Sequence, residues 1–134
     1  MADHCWFEFR QDPEQAILYV TVSGVLDKTS AVDLIKTVND TETFAPHWDL
    51  IIDFQSILEV DIPVRELFAI SKIAIEKDRR TGSTVMVVGN NDGRYSYGKL
   101  LEYALNKYGV YKLTIANTIE QAQARLAAGV GDTT

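Results

Sequence analysis

The apolar residues of this chain change their period several times, and that alternation restricts the fold more than any other feature. Residues 6–10 form a short β-type run, and residues 11–15 have the chemistry of a turn. Ile17, Tyr19, Thr21 and Ser23 then alternate with Leu18, Val20 and Val22, the period-two signature of a half-buried strand. The two runs predict a hairpin, which Gly24 ends. Asp27, Thr29 and Ser30 offer helix caps. Val32, Ile35 and Val38 recur at steps of three beside Leu34, which predicts an amphipathic helix. Residues 48–54 have the β-branched apolar centre of a strand buried on both faces. Helical spacing returns over residues 63–80. There Val64, Leu67, Phe68, Ile70, Ala74 and Ile75 mark the expected buried stripe, and Pro63 suits the first turn. Residues 84–89 read as another buried strand, and residues 90–93 as a turn and cap. Tyr97, Leu100, Leu101, Ala104, Leu105 and Tyr108 give the next helical face, closed by Gly109. Residues 111–116 are the last strand. Asn117 or Thr118 caps a final helix carrying Ile119, Ala122 and Leu126.

The order is therefore β-β-α-β-α-β-α-β-α. Strands alternate with helices after an opening hairpin. The expected fold is α/β, with a mixed, mostly parallel sheet, an N-terminal antiparallel edge hairpin and helices packed on it. With 134 residues the chain suits one core. The expectation is a single domain over residues 1–128 and a fraying tail at 129–134, where two glycines interrupt a weakly apolar run.

Charge and cysteine content exclude several classes of function. The net charge of −6 disfavours nucleic acid, a polyanion, and anionic membrane surfaces. The basic group Lys77, Arg79 and Arg80 reads as a solvated helix C-terminus whose cations suit the helix dipole. The single cysteine, Cys5, permits no intrachain disulfide. On an edge strand it reads as a small packing residue. The first residues lack the basic start and apolar run of a signal peptide, and no stretch approaches a membrane span. The expected address is the cytoplasm. Asn39 to Thr41 matches a glycosylation sequon, which has no meaning without secretion.

Open α/β sheets bind ligands beyond the C-terminal ends of their strands. The polar residues expected there are Asp53, Ser56, Glu59, Asp61 and Arg65, then Asn90, Asn91, Asp92 and Arg94. Asp53, Asn90 and Arg94 are the candidate ligand contacts. Asp53 and Asp61 either hold a magnesium ion or share a proton, or cap a strand end and the following helix; capping is the commoner use of such carboxylates. His4, Cys5 and His47 do not make a zinc set, and His47 beside Asp49 has no nucleophile elbow near it. No cofactor is expected. Gly93, Gly98 and Lys99 have the glycine spacing of a phosphate loop, but Leu100 stands where a metal-binding hydroxyl is required. Tyr95, Tyr97, Tyr103, Tyr108 and Tyr111 cluster either as amphipathic packing or as a subunit or partner interface.

Three stretches resemble the STAS domains of the anti-sigma factor antagonists and the related SpoIIAA-like proteins. Residues 18–27 (Leu-Tyr-Val-Thr-Val-Ser-Gly-Val-Leu-Asp) look like the family's opening strand, glycine and polar residue. Residues 50–54 through Val60 and Asp61 look like its central strand and following loop. Residues 115–126 look like its closing strand and a T-x-E-x-A-x-x-x-L helix. The resemblance covers residues 16–126 and implies an interaction module that works without catalysis. In the antagonists an aspartate is followed by a phosphorylatable serine at a helix start. Asp61 matches the aspartate, but Ile62 and Pro63 follow it, and isoleucine accepts no phosphoryl group.

These observations rank three readings. The first is a regulatory protein–protein interaction module without the serine switch. Its surface would comprise Ser56, Asp61, Ile62, Pro63 and Arg65, with an exposed apolar tip at residues 62–64. The second is a carrier of a small apolar or lipid-like molecule, held between the sheet and the 63–80 helix, as resemblance to SEC14-like domains implies. The third is a metal-assisted enzyme using Asp53, Asp61 and Arg65. Homodimerisation is expected through either the tyrosine-rich helix or the edge strand at residues 6–10.

Overall fold

A computed structural model describes residues 5–90, 98, 99, 102 and 113–128. It contains a five-stranded sheet in the order β1-β2-β3-β4-β5. β1 (Cys5–Asp12) pairs antiparallel with β2 (Ile17–Asp27) through the turn at residues 13–16. β2, β3 (Asp49–Asp61), β4 (Thr84–Val87) and β5 (Leu113–Ala116) are mutually parallel. Helix α1 (Lys28–Val38) joins β2 to β3, and α2 (Val64–Lys77) joins β3 to β4. Helix α3 (Ile119–Ala127) follows β5. This is the mixed α/β sheet with an antiparallel edge that the alternating periods predict.

The topology decides which face each helix covers. Two successive crossovers advance across the sheet in the same direction, so their common handedness puts α1 and α2 on one face. Leu18, Val20, Leu50, Ile52 and Met86 meet Leu34, Val38, Leu67 and Ile70 there in the larger core. The alternate strand residues Tyr19, Ile51, Val85 and Val87 face α3, where Ala122 is fully buried. All of β4 is buried, as a strand covered on both faces must be.

Local chemistry fixes the helix ends. Asp27 is the N-cap of α1, and its Oδ1 accepts from Ser30 N at 2.8 Å. Thr118, one of the two expected caps, accepts from Gln121 N at the start of α3. Asn39 caps the C-terminus of α1. Its Nδ2 donates to Ile35 O, and its Oδ1 accepts from Arg79 N at 2.9 Å. The sequon asparagine is thus committed to joining α1 to the exit of α2.

Three expectations change. The central strand does not stop at residue 54 but runs on to Asp61, because β2 continues beside it as far as Asp27. Phe68 is exposed rather than part of the buried stripe, which consists of Leu67, Ile70, Ser71 and Ala74; Val64 is exposed too, as the tip expected at residues 62–64 implies. Ser71 fits this stripe because its hydroxyl donates to Leu67 O at 2.7 Å. Arg80 is not a solvated cation: it is 8% exposed, and its guanidinium donates to Val38 O and Trp48 O. It reaches the carbonyl end of α1, where a cation is favoured. Beside it, a Cβ on Gly82 would overlap the Trp48 carbonyl, so only glycine permits this approach. The tyrosine-rich helix, the Gly93–Lys99 pattern and the 129–134 tail lie wholly or largely outside the described residues.

Candidate interaction surface

The far ends of β2 and β3 and the start of α2 assemble the candidate site. The parallel pairing of these strands carries two register shifts, one between Thr21 and Ser23 and one between Gly24 and Val25. At each, β3 has an extra residue relative to β2. The second leaves Leu58 between Ile57, the partner of Gly24, and Glu59, the partner of Val25. Gly24 has φ 90°, a backbone that a side chain would strain. Bulges re-aim side chains. Here the result is a leucine that is 79% exposed, while Ile57 next to it is buried.

Ile62 is 4% exposed and belongs to the larger core. It is therefore not part of an exposed apolar tip: the chain turns inward after Asp61 and buries this side chain beneath α2. Pro63 is the N-cap of α2, without a side-chain hydrogen bond, so Asp61 does not cap that helix. Ser56, Asp61, Pro63 and Arg65 are exposed. Val64 and Phe68, 48% and 43% exposed, lie one turn apart on the same outer side of α2. Lys28 Nζ, in the first turn of α1, is 2.9 Å from Glu66 Oε2 in the first turn of α2. This hydrogen bond and the ammonium charge hold the Glu66 carboxyl below its ordinary range. The Ser30 N–H does the same for Asp27. Cys5 approaches the same corner, and burial pushes its thiol up, the opposite of a reactive thiolate.

Asp53 sits inside β3 rather than at its end, and its Oδ1 accepts from Gln55 N at 2.9 Å and Gln55 Nε2 at 3.1 Å. Asp53 and Asp61 are on one extended strand, separated by on the order of 25 Å. They neither share a proton nor bind one ion. Among the described residues no three His, Cys, Asp or Glu side chains converge as metal ligands. Asn90 is exposed just beyond β4, and Arg94 lies outside the described residues. No helix among the described residues is long and apolar enough to cross a membrane.

An apolar cavity of about 120 Å³ lies between the sheet and helices α1 and α2. Ile35, Phe54, Ile62, Leu67, Met86 and Leu113 are among its walls, and Thr84 supplies the one hydroxyl among its described lining residues.

Leu58 and Phe68 were not legible as surface residues, whereas Val64 is exposed as the tip expected at residues 62–64 implies. A bulge leaves no period in the sequence. Phe68 follows Leu67 directly, so apolarity alone does not tell which of the two faces inward.

The chain has the STAS/SpoIIAA-like fold. It is similar to the anti-sigma factor antagonist SpoIIAA in its unphosphorylated form, with 12% identity, a TM-score of 0.53, and coverage of 93% of this chain and all of the other. It is also similar to an anti-sigma factor antagonist from Mycobacterium paratuberculosis, with 20% identity, a TM-score of 0.56, and coverage of 95% of this chain and 97% of the other. No protein-family model matches the chain, and no curated protein sequence does.

Proposed function

We propose that this chain is a non-enzymatic regulatory module that binds a partner protein of the anti-sigma factor type through the end of β3 and the start of α2. The observation that carries this reading is the exposure of Leu58, Val64 and Phe68 on a fold shared with anti-sigma factor antagonists. Exposed aromatic and aliphatic side chains beside charged neighbours are what a protein interface uses as anchors. Ser56, Asp61, Pro63 and Arg65 form the polar surround. The module works without a serine switch at the start of α2, because the residue after Asp61 is a buried isoleucine. The corresponding test uses the purified chain and the anti-sigma factors of its own cell in titration calorimetry. Phe68→Asp and Leu58→Asp each weaken binding by about thirtyfold or more, the effect of losing an interface anchor. Both leave the melting temperature nearly unchanged, since the positions are exposed. Absence of binding to every anti-sigma factor, or binding that both variants retain, overturns the reading.

The cavity favours a second reading, a carrier of a small apolar molecule. Cavities of about 150 Å³ with leucine, isoleucine and phenylalanine walls take up ligands such as benzene. The lining here offers apolar contact and one hydroxyl, which suits an uncharged hydrocarbon-like molecule. Organic extraction of protein purified from its own cells releases such a molecule in stoichiometric amount if this reading holds; a clean extract and an unchanged native mass reject it.

A further inference from the structure

We propose that β1 is a self-association edge, at which two copies of the chain join antiparallel, β1 against β1, with the two-fold axis at Phe9. The inference is independent of the partner surface on β3 and α2. β1 is the terminal strand of the sheet and pairs with β2 on one side. Its outer N–H and C=O groups form the template on which a further strand adds. Edge strands commonly block such pairing with a proline, a lysine or a bulge. Cys5–Asp12 has no proline and no lysine, and it holds an unbroken register of eight residue pairs with β2. It displays aromatic surface instead, with Trp6 at 52% and Phe9 at 37% exposure.

Charge and overlap together select the register: Gln11 on the axis would also set Arg10 against Asp12, but only residues 10–12 of each strand would then overlap. In a symmetric antiparallel pair, the residue on the two-fold axis faces itself, and its neighbours face each other across the axis. With Phe9 on the axis, Glu8 of each copy faces Arg10 of the other, so two opposite-charge pairs form. The same register sets Phe9 against Phe9 on the face that carries α1 and α2, where Phe9 is already braced by Phe44 at 5.3 Å between ring centroids. Moving the axis to Glu8 opposes two carboxylates. Moving it to Arg10 opposes two guanidinium groups and sets Glu8 against Asp12. With Phe7 on the axis, Glu8 meets Trp6 and no charge pair forms within the strand. Arg10 is held on the correct face, with its guanidinium carbon 4.0 Å from the centre of the Tyr19 ring. The joined edges make one continuous sheet from two copies.

The test is sedimentation equilibrium of the full chain across the micromolar range. The unaltered chain is expected to be a dimer. Glu8→Arg and Arg10→Glu each convert two attractive cross-strand pairs into two repulsive ones, and each weakens the dimer by about tenfold or more. The double variant restores the dimer, because each arginine then faces a glutamate again. Phe9→Cys in a Cys5→Ser background forms a disulfide-linked dimer on mild oxidation, whereas Gln11→Cys, which would face Phe7, does not. A monomeric unaltered chain overturns the proposal. So does a dimer that both single variants leave intact, or one in which Gln11→Cys cross-links and Phe9→Cys does not.

Discussion

Ile62→Ser places at the start of α2 the residue type that the antagonist resemblance implies there, and so separates a surface switch position from a core position. Ile62 is 4% exposed, packed in the larger core and against the cavity. Removing its buried aliphatic atoms costs about 2–3 kcal/mol in lost burial. The new hydroxyl adds about 1–2 kcal/mol unless it finds a partner in this apolar setting. The sum is about 3–5 kcal/mol, a large fraction of the roughly 5–15 kcal/mol by which a domain is stable. For a domain of this length the unfolding entropy is about 0.28 kcal/mol per degree, so the melting temperature falls by about 11–18 °C. Urea denaturation and thermal melting by circular dichroism measure both quantities. Ile62→Val serves as the reference and costs about 1 kcal/mol. A loss below about 1 kcal/mol for Ile62→Ser would show that the side chain is not in the core, and would return this position to the partner surface.

Two further predictions concern the corners that fix the helices. Arg80→Met leaves the Val38 and Trp48 carbonyls without their charged donor, and lowers stability by about 2–4 kcal/mol in urea denaturation. Because the guanidinium is buried, this loss changes little between low and high salt. Asp27→Ala removes the α1 cap at a cost of about 1 kcal/mol at neutral pH. The folded carboxyl of Asp27 lies below its ordinary value because the Ser30 N–H, then the Ser30 hydroxyl, donates to it. Its stabilisation is therefore complete above about pH 4 and is lost as the pH falls through the lower folded value. The stability gap between the unaltered chain and Asp27→Ala should narrow over that acid range, and a gap that widens there refutes the assignment.

The order of elements was legible because each carries its own period. The alternation through residues 17–23 and the helical spacing at residues 32–38 both reflect neighbours close in sequence. The caps were legible for the same reason: Asp27 and Thr118 bond to N–H groups three residues on. Much of the candidate site was not legible. Leu58 is displayed by a register shift between β2 and β3, and register belongs to a pair of strands, not to either one. Ile62 reads as an exposed tip when residues 55–63 are taken for a loop. It becomes core once β3 runs to Asp61 and the chain turns under α2.

The sequence by itself therefore determined the succession of strands and helices, the capped starts of α1 and α3, the antiparallel edge and the isoleucine where the antagonists have a serine. These follow from local backbone preference and side-chain chemistry, which act over a few residues. Only the tertiary structure decided that Arg80 is a buried clamp, that Asp53 and Asp61 stand far apart on one strand, and that Phe68 faces solvent while Leu67 does not. Those outcomes depend on which surfaces meet across the sheet, and the packing of residues distant in the chain sets them.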